Sequence, residues 1–172
     1  MYSGCNKMHF VSTESFEWTS VEKGGGISVM FMGTVYNSID EKNRMIVPSK
    51  MRAGLGERCV LTKGLDQCLY IYTMDNWEKQ MEKISRLPES DPKVRVFIRH
   101  FCANAAECEF DKQGRIVIPQ ELKAYAKIEK ELVTMGAMSK IEVWGREIWD
   151  APDNESKMET EAFSKALEEY NF

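Results

Sequence analysis

Apolar positions along the chain fall into short runs divided by turn residues, and from Met30 onward the pattern occurs twice. Ser38-Ile39-Asp40-Glu41-Lys42-Asn43-Arg44-Met45-Ile46-Val47-Pro48-Ser49-Lys50-Met51-Arg52-Ala53 aligns with Glu109-Phe110-Asp111-Lys112-Gln113-Gly114-Arg115-Ile116-Val117-Ile118-Pro119-Gln120-Glu121-Leu122-Lys123-Ala124 at an offset of 71. Asp, Arg, Pro and Ala coincide, and every apolar position stays apolar. After a one-residue insertion the match resumes at an offset of 72, with Val60-Leu61-Thr62 against Leu132-Val133-Thr134, Tyr72 against Trp144 and Trp77 against Trp149.

Each copy predicts a strand, a tight loop, a second strand, a short helix and two further strands. Asn43 and Gly114 stand where the loop needs a positive φ. Pro48 and Pro119 end the second strand and suit the first position of a helix, where a missing N–H costs nothing. Cys59–Thr62 and Leu69–Tyr72 read as a hairpin around Gly64 and Asp66. Met45-Ile46-Val47 is expected to be core. Two longer helices separate the copies. Asp75, with Glu78 three residues on, is expected to cap the first, whose apolar stripe is Trp77, Met81 and Ile84. Asp91-Pro92 starts the second, in which Val94, Phe97, Ile98, Phe101, Cys102 and Ala105 follow helical spacing as a core or subunit-interface stripe. The expected organisation is therefore α+β: an N-terminal extension over 1–29, a first β unit over 30–74, a helical connector over 75–106, a second β unit over 107–150 and an acidic tail over 151–172.

Length and composition limit the possible classes. A chain of 172 residues accommodates one compact domain or two small ones sharing a core, and no stretch approaches the roughly 20 apolar residues of a membrane helix. The cysteines at 5, 59, 68, 102 and 108 form no C-x-x-C pair, and with 2 histidines they make no zinc set; reduced core thiols in a cytosolic protein are the expectation. Neither a metal nor another cofactor is expected. Residues 1–29 lack a signal-peptide core and are expected to be disordered or a start-site artefact. Lys23-Gly24-Gly25-Gly26 is what a translated purine-rich ribosome-binding site would encode, so Met30 is the expected natural start.

A net charge of −4 argues at first against a nucleic-acid partner, but its distribution reverses the inference. From Glu142 to Phe172 nine acids face three bases, which leaves the remainder of the chain at +2. Met30 to Lys63, the segment holding the first loop, is +3, with Lys42, Arg44, Lys50, Arg52, Arg58 and Lys63 against Asp40, Glu41 and Glu57.

The doubled D-x-x-x-R-φ-φ-φ-P block, preceded by Met30-Phe31-Met32-Gly33 in one copy and Ala105-Ala106-Glu107-Cys108-Glu109 in the other, resembles the MraZ family from Met30 to Trp149. One copy alone would point only to the broader AbrB/SpoVT superfamily, where intertwined homodimers supply the second unit. The resemblance implies two swapped-hairpin AbrB-like β units packed as an intramolecular pseudo-dimer, with two connecting α-helices. It also implies homo-oligomeric rings, cytoplasmic and nucleoid-associated, that bind repeated double-stranded DNA sites upstream of a cell-division and cell-wall gene cluster. Asn43 departs from the glycine many relatives have, but asparagine tolerates left-handed backbone.

For recognition, Arg44 projects from a loop between strands, where its guanidinium could bond bidentately to guanine O6 and N7. Lys42 and Arg52 would meet phosphates, with Lys50 a weaker candidate. The counterparts are Lys112, Arg115 and Lys123, diluted by Glu107, Glu109 and Glu121, so the first copy is expected to contact DNA more strongly. Asp40 and Asp111 either orient these arginines or form internal salt bridges with them, and both can hold together. No catalytic residue, small-molecule substrate or membrane partner is expected. Asp40, Glu41 and Asp111 do not read as convergent metal ligands, and His100 lies in an apolar helix without a nucleophile. The alternative class is a ring-forming structural protein without DNA binding.

Overall fold

The computed structural model describes residues 27–151 together with the strand Thr19–Val21. The acidic tail beyond Ala151, with its Met158, Ala162 and Leu167, and most of the N-terminal extension, including Lys23-Gly24-Gly25-Gly26, lie outside the described residues. Within the extension, β1 (Thr19–Val21) pairs antiparallel with β2 (Ile27–Val29). Val29 packs against the main core, which gives this pairing something to rest on.

The first copy contains β3 (Thr34–Ser38), β4 (Arg44–Ile46), α1 (Ser49–Leu55), β5 (Arg58–Lys63) and β6 (Leu69–Thr73). Connecting helices α2 (Met74–Ser85) and α3 (Pro92–Cys102) lead to the second copy: β7 (Ala106–Glu109), β8 (Arg115–Val117), α4 (Gln120–Tyr125), β9 (Glu131–Ala137) and β10 (Lys140–Gly145), closed by α5 (Arg146–Asp150). The predicted element order is present twice. Among the described residues no helix is long and apolar enough to cross a membrane.

The copies are not side by side. A six-stranded antiparallel sheet runs β3-β9-β10-β6-β5-β7, so each hairpin takes its outer partner from the other copy. Tyr36 of β3 lies opposite Val133 of β9, and Cys59 of β5 opposite Cys108 of β7. The second strands, β4 and β8, leave this sheet and pair with each other as a two-stranded ribbon, Met45 opposite Ile116.

Side-chain alternation explains the layers. Leu69 and Ile71 of β6, Ile141 and Val143 of β10 and Leu132 of β9 point to one face, where they join Met45, Val47, Ile116 and Ile118 of the ribbon strands and Met51, Leu55 and Leu122 of the short helices. Tyr70, Tyr72, Val133 and Trp144 point to the other, against Ile84 and Phe101 of the connecting helices, with Trp77, Met81, Phe97 and Ile98 partly buried beside them. Being covered on both faces, the central strands read as almost continuous apolar runs. The buried Glu142 is satisfied by Lys140 Nζ at 2.9 Å and by Trp144 Nε1, which donates at 3.1 Å. Cys59, Cys68 and Cys108 are buried free thiols, with burial pushing their pKa values up to about 12, 12 and 11.

Three local expectations need correction. Ile46 is not core: it is 54% exposed, while Met45 and Val47 are fully buried, because a strand turns alternate residues to opposite faces. The cap of α2 is Thr73, whose hydroxyl accepts the N–H of Asn76 at 3.0 Å, rather than Asp75. The helix starts one residue after β6 ends, which leaves Asp75 in the first turn, where its charge complements the helix dipole. Pro48 and Pro119 are the cap residues of α1 and α4 rather than their first helical residues. Asp91 caps α3 with Pro92 at its start, and its carboxylate accepts the N–H of Lys93 at 2.8 Å.

Because the sheet interleaves the copies, cutting the chain between α2 and α3, within 86–91, should leave the halves associated. Native size-exclusion chromatography of the nicked protein checks this: one peak is expected, and separated halves would contradict the interleaving.

Candidate nucleic-acid interface

The ribbon carries both Asp-x-x-x-Arg loops at its ends. In the first loop Asp40 Oδ1 accepts the backbone N–H groups of Lys42 and Arg44, each at 2.9 Å. Its Oδ2 accepts Arg44 Nε at 2.8 Å and Nη2 at 2.7 Å. The second loop repeats this set: Asp111 Oδ1 takes the N–H of Gln113 at 2.9 Å and of Arg115 at 3.0 Å, and Oδ2 takes Arg115 Nε and Nη2, both at 2.7 Å. The chain can turn this tightly because Asn43 and Gly114 adopt φ of 55° and 73°.

These bonds favour the charged carboxylate. The side-chain and backbone donors of Arg44, in that order of weight, hold Asp40 at a pKa of about 2; for Asp111 the backbone N–H of Arg115 leads and its side chain follows, again to about 2. Both aspartates therefore stay ionised in any physiological medium.

Each aspartate engages the Nε–Nη2 side of its guanidinium. Asp40 does not use the hydrogens on the Nη1–Nη2 edge of Arg44, the pair of donors that a planar acceptor edge such as guanine can accept. Arg115 differs in one respect: its Nη1 lies 3.7 Å from Asp40 Oδ2, so the first loop's carboxylate also influences the second loop's arginine. Strand register places Arg44 opposite Val117 and Ile46 opposite Arg115, all four on the ribbon's outer face. Both arginine side chains are partly exposed, at 29% and 21%, so a ligand can reach them.

The remaining predicted cations gather around the same ribbon. Lys42 and Lys112 are exposed at the loop tips, and Lys50 is exposed on α1. Arg52 and Lys123 do something sequence reasoning missed: each reaches from its own copy's helix to the other copy's loop. Lys123 Nζ donates to Asn43 Oδ1 at 3.0 Å, and Asn43 Nδ2 donates to Gln120 Oε1 at 3.0 Å. Arg52 lies over Gly114 so closely that a Cβ there would come within 1.4 Å of its Nη1. A signal was present in the pairing of residue types: the copy with the larger arginine faces glycine, and the copy with lysine faces an asparagine able to accept from it.

The Asp–Arg bonding is alike in the two loops, while the charges around them differ. Glu107 is taken up by Arg58, whereas Glu109, Asp111 and Lys112 line an open groove with Arg52 beside the second loop. His100 Nε2 lies 3.0 Å from the Gly64 carbonyl oxygen, which also accepts from Tyr125 Oη at 2.8 Å. Among the described residues no group of three or more His, Cys, Asp and Glu could hold a metal ion.

Fold and loops together define a tandem-unit α+β protein in which two repeats interleave into one body around a shared arginine-bearing ribbon. Two consecutive matches to the family model described as "MraZ protein, putative antitoxin-like" cover residues 30–100 and 101–169. The chain belongs to the MraZ family. It is 43% identical over 142 residues to a protein from Caldanaerobacter subterraneus subsp. tengcongensis named "Transcriptional regulator MraZ", covering 83% of this chain and 99% of that relative. Proteins of the same name from Acetivibrio thermocellus and Clostridium beijerinckii are 44% and 45% identical over 138 residues, each covering 80% of this chain and 96% of the relative.

Two measurements check the loop geometry. Carboxyl NMR titration should place Asp40 and Asp111 near pH 2, below the ordinary 3.8. Because the folded-state values are depressed, the stability these groups add is fully present above the ordinary value and is lost as pH falls through about 2. Values near 4 for both would contradict the bonding described. Gly114→Ala should destabilise the protein by at least about 1–2 kcal/mol in urea unfolding, from its left-handed backbone alone. The penalty should be smaller in an Arg52→Ala background, where no guanidinium has to move; equal penalties in both backgrounds would mean that Arg52 does not pack on Gly114.

Proposed function

We propose that the protein is a sequence-specific, double-stranded-DNA-binding transcriptional regulator, acting as a binding protein rather than an enzyme. The observation that carries this reading is the pair of aspartate-held arginines on the outer face of one narrow β-ribbon. A two-stranded ribbon fits the major groove, and a guanidinium fixed on one side by a carboxylate is pre-organised to meet guanine O6 and N7 with its other donors. Arg44 and Arg115 are the proposed base readers and Asp40 and Asp111 the residues that orient them. Lys42 and Lys112 at the loop tips, with Arg52 and Lys123 flanking the loops, are the proposed phosphate contacts.

The names of the relatives support the regulatory role. We further propose homo-oligomeric, ring-like assembly in the cytoplasm at the nucleoid. Its targets are repeated sites upstream of a cell-division and cell-wall gene cluster that includes the protein's own gene. Several ribbons on one assembly could engage several repeats at once, raising affinity by effective concentration without any new contact.

Gel-shift titration with the DNA upstream of the gene tests the reading. Wild-type binding should weaken steeply with salt, because phosphate contacts release counterions. Arg44→Ala should cost about 1–3 kcal/mol of discrimination between cognate and random duplex, whereas Lys42→Ala should weaken both duplexes alike and lower the salt slope by about 1. Absence of binding, or binding indifferent to Arg44→Ala, would sink the proposal in favour of a purely structural assembly.

A further inference from the structure

We infer that Ile46 and Val117 are specificity residues that read thymine C5-methyl groups in the DNA major groove, an inference that rests on the DNA-binding role proposed above. In the repeated D-x-x-x-R-φ-φ-φ-P block the outer two apolar positions, Met45 with Val47 and Ile116 with Ile118, are buried under the sheet. The middle one contributes little to that core. Ile46 and Val117 are each 54% exposed, at the same position of the two copies, on a strand face where a water-facing ribbon would ordinarily carry polar residues.

Their neighbours point to the occupant. Val117 sits directly opposite Arg44, and Ile46 directly opposite Arg115, so the outer face alternates a guanidinium with an aliphatic group on both strands. The major-groove edge of DNA offers the complement: guanine presents two acceptors to a guanidinium, and thymine presents a methyl group to an apolar side chain. Spacing agrees as well. Residues diagonal across a ribbon, as Ile46 and Val117 are, lie about 7–8 Å apart, close to the rise of about two base steps at ~3.4 Å each. The cationic surroundings, with Lys42 and Lys112 at the loop tips, favour a polyanion over an apolar protein partner on this face.

The test uses the full-length protein and a duplex selected by it from a random-sequence pool. Each thymine in turn is replaced by deoxyuridine, which removes the methyl group and leaves base pairing and hydrogen-bonding edges intact. Binding is followed by fluorescence anisotropy at one fixed salt concentration. At two or more thymines the replacement should weaken wild-type binding about three- to five-fold, the worth of one buried methyl-sized group. Val117→Ser and Ile46→Ser remove the methyl-bearing branches at two exposed positions that contribute little to the core, so neither should alter the fold. Each should lose the deoxyuridine effect at its own position and keep the wild-type affinity for random duplex.

A selected duplex without thymine, uniform indifference to deoxyuridine, or serine variants that keep the wild-type deoxyuridine profile would each overturn the inference while leaving DNA binding intact. A serine variant that changes the mass of the assembly but not DNA affinity would overturn it in favour of contact between copies. Failure to bind any duplex would overturn the DNA-binding role and this inference together.

Discussion

The pairing of β4 with β8 is the constraint on which the rest of the molecule depends. It joins strands from different copies, and backbone bonds extend it past both ends: Val47 N–H donates to the Gly114 carbonyl at 3.1 Å, and Ile118 N–H to the Asn43 carbonyl at 2.8 Å. The two residues that must adopt left-handed backbone are thus the two whose carbonyls close the ribbon. If either loop opened, its aspartate would lose the backbone donors that hold it and the other copy's strand would lose a bond. Because the first strand of each copy also sits in the other's sheet, neither repeat has a complete hydrogen-bonded structure of its own.

The proposed recognition chemistry is built on that closure. An arginine on a flexible loop would sample many rotamers, and binding would have to overcome their entropy. Here one carboxylate fixes both the turn and the guanidinium, and the helix of the opposite copy holds the loop from the far side through Lys123 or Arg52. Net charge is a poor guide to such a surface. The acids concentrated near the C terminus bring the whole chain to −4, while the ribbon presents paired cations whose partner aspartates leave part of each guanidinium available.

Much of this was legible in the sequence because it is local or repeated. The offset between copies located both loops, the positive-φ positions and the hairpins, and the Asp91-Pro92 pair located the start of α3. The less legible features depend on what lies across a gap in sequence. Ile46 reads as core by composition, and only the pleat shows that it faces out. Thr73 outcompetes Asp75 as a cap because β6 runs directly into α2 with no loop between them. The crossed reach of Arg52 and Lys123 joins residues 62 and 80 apart, a relation no local pattern encodes. At the site, residue types were readable, whereas the use of one side of each guanidinium by its aspartate required coordinates.

One ribbon, assembled from both copies, is the surface proposed to meet DNA. Differential hydrogen exchange of the full-length protein, with and without a tightly bound duplex, tests it most directly. Slowed exchange should appear together in 40–47 and 111–118, including the loop amides, with the faces of α2 and α3 unchanged. Protection confined to one copy's loop, or centred on the connecting helices, would contradict it.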